Sequence, residues 1–264
     1  MSFTQNTVDN VRFYTSEVLD GVTHAFSTRV GGVSRPPFDT LNLGSSEYDD
    51  ENDILQNYNL FTSAIGIDPE SLVFTKQIHS DRIRVAGYNH RGNGFSRPSM
   101  WECDALITDV PGVTLTIFWS DCVPILLYDP TVRAIGAVHA GWRGTAAAIA
   151  VKTAAAMVER YGCSDIRAAI GPAIGACCFE TDDDVPRAMR FGGADMSAYI
   201  AKSGDKYQID LKGINAWLLN RAGIKHIEVS PLCTCCLDEE FFSHRRSGLA
   251  RGTQAAVIAI NSEQ

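Results

Sequence analysis

The sequence contains no run of the roughly 20 apolar residues that a membrane helix needs. Its start, MSFTQNTVDN, has no basic stretch leading into an apolar one, so no secretory leader is expected. Lysine is scarce: of 23 basic residues only 6 are Lys and 17 are Arg, none gathered into a block, against 31 acids. A net charge of −8 without a cationic cluster argues against a nucleic-acid or membrane-surface partner. Repeats, low-complexity tracts and Pro/Ser-rich linkers are also missing. The 264 residues therefore read as a single domain over 1–264, near the upper length for one core.

Cysteine is not scarce. Of the 8, Cys177-Cys178 and the group Cys233, Cys235 and Cys236 are crowded in sequence. Neighbouring cysteines rarely bridge one another, and disulfide scaffolds are normally much shorter chains. Free thiols in a reducing cytoplasm are the expectation.

Short runs rich in Val, Ile, Leu, Thr and aromatics predict strands at Leu72–Gln77, Arg82–Ala86, Ala105–Thr108, Val113–Trp119, Pro124–Tyr128, Ala134–Val138 and Ala255–Ile260. Several are almost continuously apolar, which suggests strands covered on both faces. Helices are expected at Asp53–Ile65, at Leu211–Ala222 and over the Ala-rich Thr145–Tyr161, which ends at Gly162. Tyr88–Ser99 reads as a long surface loop. The irregular alternation favours an α/β (α+β) mixed-sheet sandwich over a regular parallel barrel.

Three segments place a metal-competent side chain at a strand edge: KQIHSD with His79, SDCVP with Cys122, and AVHAGWRG with His139. Taken singly, such residues are more often structural. Together, two His and one Cys from separate strands make a three-ligand set for Zn²⁺ with a fourth position open, as in a catalytic site. After His139 the chain turns into the Ala-rich segment, and Arg143 beside a helix start would suit a phosphate. Arg29 in a Gly-rich turn and Arg245 and Arg246 in FFSHRR are further phosphate candidates, although exposed Arg is commonly just surface. Asp121 and Asp81 neighbour the proposed ligands and are candidates to orient them or carry protons, though strand neighbours face opposite ways. The Cys-rich IGPAIGACCFE is read as a pocket wall.

The segments KQIHSD, DALITDVPG, SDCVPILLYDP, AVHAGWRGT, IGPAIGACCFE, LCTCC and FFSHRR, in this order, resemble the laccase-domain or YfiH-like family. The resemblance runs from about Ser27 to the last strand. It implies a sandwich of packed sheets flanked by helices, and a zinc held by His79, Cys122 and His139. It also implies phosphorolysis of adenosine, inosine, guanosine and methylthioadenosine, with deamination of adenosine besides, so that the partners are a purine nucleoside and phosphate. Phosphorolysis requires cations near the ribose, for which Arg29, Arg143, Arg245 and Arg246 are the candidates. Deamination requires an activated water, which zinc supplies by lowering a water's pKa to about 7. The catalytic set expected is then Cys122, His139, Arg143 and Asp121.

Three rivals remain open, the plainest being a non-catalytic binding protein stabilised by a metal. The second is a copper-dependent polyphenol oxidase, disfavoured by only 6 His and 5 Met. The third is a hydrolase with Cys122 as nucleophile and His139 as base, acting in peptidoglycan editing.

Overall fold

The computed structural model describes residues 3–44, 49–98 and 101–261. Two mixed six-stranded sheets lie at its centre. The first runs in spatial order Phe3–Val8, Val11–Ser16, Thr23–Ser27, Gln254–Ala259, Thr114–Trp119 and Leu72–Val73. The second runs His226–Val229, Arg167–Ile170, Val123–Asp129, Ala134–Ala140, Ala105–Thr108 and Ile83–Val85.

Side-chain alternation along the strands sorts the core into three layers. Phe26, Leu115, Ile117 and Ile258 of the first sheet meet Leu106, Leu126, Ile135 and Ala137 of the second. The opposite parity of the second sheet, including Ile125, Leu127 and Val138, packs against the helices Ile149–Tyr161 and Leu211–Arg221 through Met157, Ile214 and Leu218. The outer face of the first sheet, through Val11, Ala25 and Val257, is covered by Ile54, Tyr58 and Phe61 of the helix Glu51–Ile65. The result is a helix–sheet–sheet–helix sandwich, and it explains the continuous apolar runs: all seven residues of Val123–Asp129 and of Ala134–Ala140 are buried.

Helix limits follow their caps. The Asp50 carboxylate accepts the N–H groups of Asn52 and Asp53, and Gly66 at φ 68° ends that helix, which starts two residues before the expected Asp53. Asp210 caps the Leu211 helix by accepting the Gly213 N–H at 2.9 Å.

The sequence reading needs correction at several points. Leu72–Gln77 is two short pieces: Leu72–Val73 joins the first sheet, whereas Thr75–Lys76 pairs with Trp101–Glu102. The Ala-rich segment is a single turn, Trp142–Ala146, followed by the helix Ile149–Tyr161, with Ala148 between them at φ 55°. Helix propensity there yields to tertiary contact, since the buried Thr145 hydroxyl accepts the Asn215 amide at 2.9 Å and so ties the short turn to the other helix. The left-handed alanine costs roughly 1–2 kcal/mol. The loop from Tyr88 is pinned to the sheet edge by Phe74 N–H to Asn93 O and Gly92 N–H to Leu72 O, both 2.8 Å; its last expected residue, Ser99, lies outside the described residues. Among the described residues no helix is long and apolar enough to cross a membrane.

Leu126 is fully buried between the sheets. Leu126→Ala is expected to lower unfolding free energy by about 2–5 kcal/mol, measured by denaturant titration; a loss well under 1 kcal/mol would contradict the sandwich core.

Candidate metal centre

The site lies at one end of the sandwich, where the chain crosses between sheets. Thr114–Trp119 ends in the first sheet and Val123–Asp129 begins in the second, so Ser120-Asp121-Cys122 is the turn that joins them. The antiparallel register sets Pro124 opposite His139 and Val123 opposite Ala140, bringing Cys122 to the end of the strand that carries His139. On the other side Val138 pairs with Ala105, which puts Asp104 beside His139.

Asp104 organises the centre. It is fully buried, and its two oxygens accept five hydrogen bonds. Oδ1 accepts the His79 N–H at 3.0 Å and the His139 Nδ1–H at 2.9 Å. Oδ2 accepts the N–H groups of Ile78 at 3.3 Å and Ser80 at 2.7 Å, and the Ser80 hydroxyl at 2.7 Å. Burial alone would raise its carboxyl; the hydrogen bonds from His139 and Ser80 outweigh burial and hold it at about 2. One carboxylate therefore folds the tight turn at His79, whose φ is 58°, and fixes the His139 ring with Nδ1 protonated and Nε2 free to ligate.

The ligand-capable atoms of His79, Cys122 and His139 all lie within 4.8 Å of one another. Cys122 Sγ is 3.9 Å from His79 Nε2, and the two imidazole rings meet edge to face at 5.0 Å. A tetrahedral zinc would space such a sulfur and nitrogen about 3.5 Å apart, so the set needs only a small contraction to fit the ion. Burial opposes charge on both Cys122 and His139. The nearby His139 nevertheless lowers the Cys122 thiol, and the Cys122 thiolate with Asp104 raises His139. Glycine at 141 keeps the space clear, because a Cβ there would lie 2.9 Å from His79 Cδ2 and 3.1 Å from Cys122 Sγ.

The three donors open on a cavity of about 370 Å³ walled by Phe118, Trp119, Trp142, Ile174 and Phe179, with His244, Arg245 and Arg251 also lining it. That size is within the range of small-molecule sites. Gln77 holds one wall by acting as a strand partner, donating to Phe118 O at 2.7 Å and accepting its N–H at 2.6 Å.

The expected cations are dispersed. Arg29 lies in a separate cleft with Asp39, Asp238 and Glu239, its guanidinium paired with Asp39 at 3.0 Å, an acidic setting that repels phosphate. Arg246 donates to the carbonyls of Thr234, Cys235 and Phe241. Arg245 lines the cavity, but its guanidinium is held by the carbonyls of Cys178 and Glu180. Arg143 is exposed and stacks 4.1 Å over Trp142, on a helical turn too short to offer the expected dipole. Asp121 accepts the hydroxyls of Thr234 and Ser243 and the Arg245 N–H, so its carboxylate joins three segments and is not poised to carry protons. Asp81 is paired with Lys152 at 2.5 Å, exposed and outside the cavity.

Two residues escaped the sequence reading. Asp104 stands immediately before the apolar Ala105 strand, an acid where a buried neighbour would need donors. Arg251 precedes the last strand and donates from Nη1 to Ser120 Oγ, Gly252 O and Thr253 Oγ1, while its buried Nε has no partner among the described residues.

The profile of the family described as multi-copper polyphenol oxidoreductase laccase matches residues 23–261. The chain belongs to that family. Family members include the purine nucleoside phosphorylase YlmD of Bacillus subtilis, 35% identical over 92% of this chain and 89% of the relative. The purine nucleoside phosphorylase YfiH of Escherichia coli is 32% identical over 86% of this chain and 89% of its own length. The crystal structure of YlmD from Geobacillus stearothermophilus superposes with a TM-score of 0.92 at 34% identity, covering 98% of this chain and 99% of that one. The mixed-sheet sandwich is thus the fold of the family.

Asp104→Asn would set an amide NH₂ against backbone N–H donors. If the three donors hold a divalent metal, it is expected to weaken that binding roughly 10- to 100-fold, and Gly141→Ala, by crowding two donors, to weaken it as well. Competition with a chromogenic chelator measures both; wild-type affinity in folded variants would contradict the assigned geometry.

Proposed function

We propose that the chain is a zinc-dependent purine nucleoside phosphorylase. Its reaction is cleavage of adenosine, inosine, guanosine and methylthioadenosine by phosphate to free base and ribose 1-phosphate, with hydrolytic deamination of adenosine at the same site. The observation that carries the reading is one cavity of about 370 Å³ holding a two-His, one-Cys donor set, flat aromatic walls and an arginine with an unused N–H. The names of the relatives agree with it.

Residue roles follow from placement. Phe118, Trp142 and Phe179 offer flat apolar surfaces for a purine. Arg251, whose charge is fixed and whose Nε is unpaired, is the best-placed cation for phosphate; Arg143 is at the rim beside Trp142. In phosphorolysis a phosphate oxygen bonds to the anomeric carbon as the base leaves with the electrons of the glycosidic bond. Arg251 would hold the nucleophile in line, and His244, which lines the same cavity, offers a ring N–H toward the departing base. His79, Cys122 and His139 would hold the ion, with Asp104 fixing His139. A bound zinc supplies a Lewis acid and acidifies water for the deamination.

Zinc is favoured over a multi-copper arrangement by where the other histidines lie. His24 accepts the Ser16 N–H, His90 accepts the Gly87 N–H and meets Trp101 edge to face, and His226 faces Asp165. None of the three joins a donor cluster among the described residues.

One observation favours a second reading. Cys122, His139 and Asp104 are also ordered as nucleophile, base and orienting carboxylate, which suits a cysteine hydrolase such as one in peptidoglycan editing. A second imidazole 3.9 Å from the same sulfur has no part in such a triad and supports the metal reading.

Purified protein incubated with adenosine is expected to release adenine and ribose 1-phosphate only when phosphate is present, and some inosine without it. Absence of every product would overturn the proposal. Arg251→Gln is expected to raise the KM for phosphate about 10- to 100-fold, the loss of one charge-assisted hydrogen bond; an unchanged KM would remove Arg251 from that role. Complete zinc removal should abolish turnover, and turnover that persists would favour the cysteine nucleophile.

A further inference from the structure

A second group of close donors remains unused by the chemistry above. The sulfurs of Cys177, Cys178, Cys233 and Cys236 lie within 4.8 Å of one another. We propose that these four cysteines bind one thiophilic divalent cation of the zinc type, and that this ion clips together two loops forming one wall of the cavity.

The local sequence and backbone are suited to such a site. Cys233-Thr-Cys-Cys236 has the two-residue spacing of closed structural zinc sites. Its partner pair occupies a tight turn in which the N–H groups of Cys178 and Phe179 both donate to Gly175 O at 3.0 Å. The two loops are aligned by backbone before any ion enters, through a bridge between Ala173 and Cys233 and the Thr234 N–H donating to Ala173 O at 3.2 Å. Glycine at 175 keeps the interior open, as at the first site: a Cβ there would lie 3.2 Å from Cys177 Sγ and 3.5 Å from Cys233 Sγ.

Distances separate an ion site from a disulfide. Cys236 Sγ is 3.5 Å from Cys177 Sγ and 3.4 Å from Cys178 Sγ. Four sulfurs around a tetrahedral zinc are spaced about 3.8 Å apart, so the cluster needs to open by only a few tenths of an ångström. A disulfide, with sulfurs about 2.05 Å apart, would require a collapse of more than 1 Å and leave two thiols unused. The Gly175 N–H also donates to Cys233 Sγ at 3.1 Å, an arrangement that stabilises a thiolate. Binding transfers the four thiol protons to solvent and involves no oxidant.

The consequence reaches the catalytic cavity. Ile174 and Phe179 flank the first cysteine pair and line the cavity, while Thr234, within the second loop, donates its hydroxyl to Asp121 at 2.6 Å. An ion joining residues 177 and 236 would therefore fix that wall against the turn bearing Cys122. Cys177 and Cys236 are exposed, so a chelator can reach the ion.

The test is metal counting on the full-length protein, loaded with Zn²⁺ under reducing, oxygen-free conditions. About two ions per chain are expected for the wild type and about one for the Cys233→Ser/Cys236→Ser double variant. His139→Ala should likewise bind about one, held by the four cysteines. A single ion in the fully reduced wild type that is kept by the double variant and lost from His139→Ala overturns the proposal, as does a reductant-sensitive loss of two hydrogens mapping to a Cys178–Cys236 disulfide; a single ion kept by His139→Ala instead counts against the first site alone. Should the double variant fail to fold, alkylation of the wild type decides. Zinc should slow labelling of Cys177, Cys178, Cys233 and Cys236 about tenfold or more while leaving Cys235 unchanged; equal labelling with and without zinc overturns it. Both readouts are independent of nucleoside turnover.

Discussion

A buried carboxylate that accepts five hydrogen bonds is the interaction on which the centre depends. Asp104 has no exposure to water, so its charge is tolerable only because the His139 ring, the Ser80 hydroxyl and three backbone N–H groups surround it. The same bonds that make its burial affordable shape the turn at His79 and choose the His139 tautomer. Local solvation and site geometry are thus one problem with one solution. Removing the acid would leave the donors without an acceptor, the turn at His79 without its anchor and the His139 ring without a fixed orientation.

The sandwich supplies the rest. Crossing from one sheet to the other at residues 120–122 puts a thiol between the two histidine-bearing segments, and Asp121 fastens that crossing to Thr234, Ser243 and Arg245. Glycine at 141 leaves room for the donors to converge. The overall charge of −8 coexists with a cavity lined by Arg245, Arg251 and His244, in which Asp121 is already engaged by neighbours.

Much of this was legible in the sequence, for physical reasons. Central strands such as Val123–Asp129 and Ala134–Ala140 announce themselves because both faces are buried. The N-terminal strand FTQNTV is half exposed and polar, and RAAI at Arg167–Ile170 is poor in β-branched residues, so neither offers a strong local signal. His79, Cys122 and His139 stood out because imidazole and thiolate are common metal-ligand types. Asp104 and Arg251 did not, since an acid or an arginine beside a strand usually faces water and only the register reveals otherwise. The Ala-rich segment misled because propensity is local, whereas the Thr145–Asn215 contact that breaks the helix spans 70 residues. The surroundings of the phosphate candidates were illegible for a similar reason: carbonyl partners for Arg245 and Arg246, and an acidic cleft for Arg29, are created only by folding.

The family description speaks of several coppers, yet the described residues gather histidine into one donor cluster, and the second cluster is all cysteine. In the proposed function His79, Cys122 and His139 hold one ion while Asp104 fixes the His139 ring. Anomalous diffraction at the zinc absorption edge, from crystals of the zinc-loaded protein, tests it most directly. A strong peak is expected about 2.0–2.1 Å from the two imidazole nitrogens and about 2.3 Å from the Cys122 sulfur, with the Asp104–His139 bond intact and the fourth position facing the cavity. A fully loaded crystal with no peak between those three side chains, or with His139 turned away from Asp104, would contradict it.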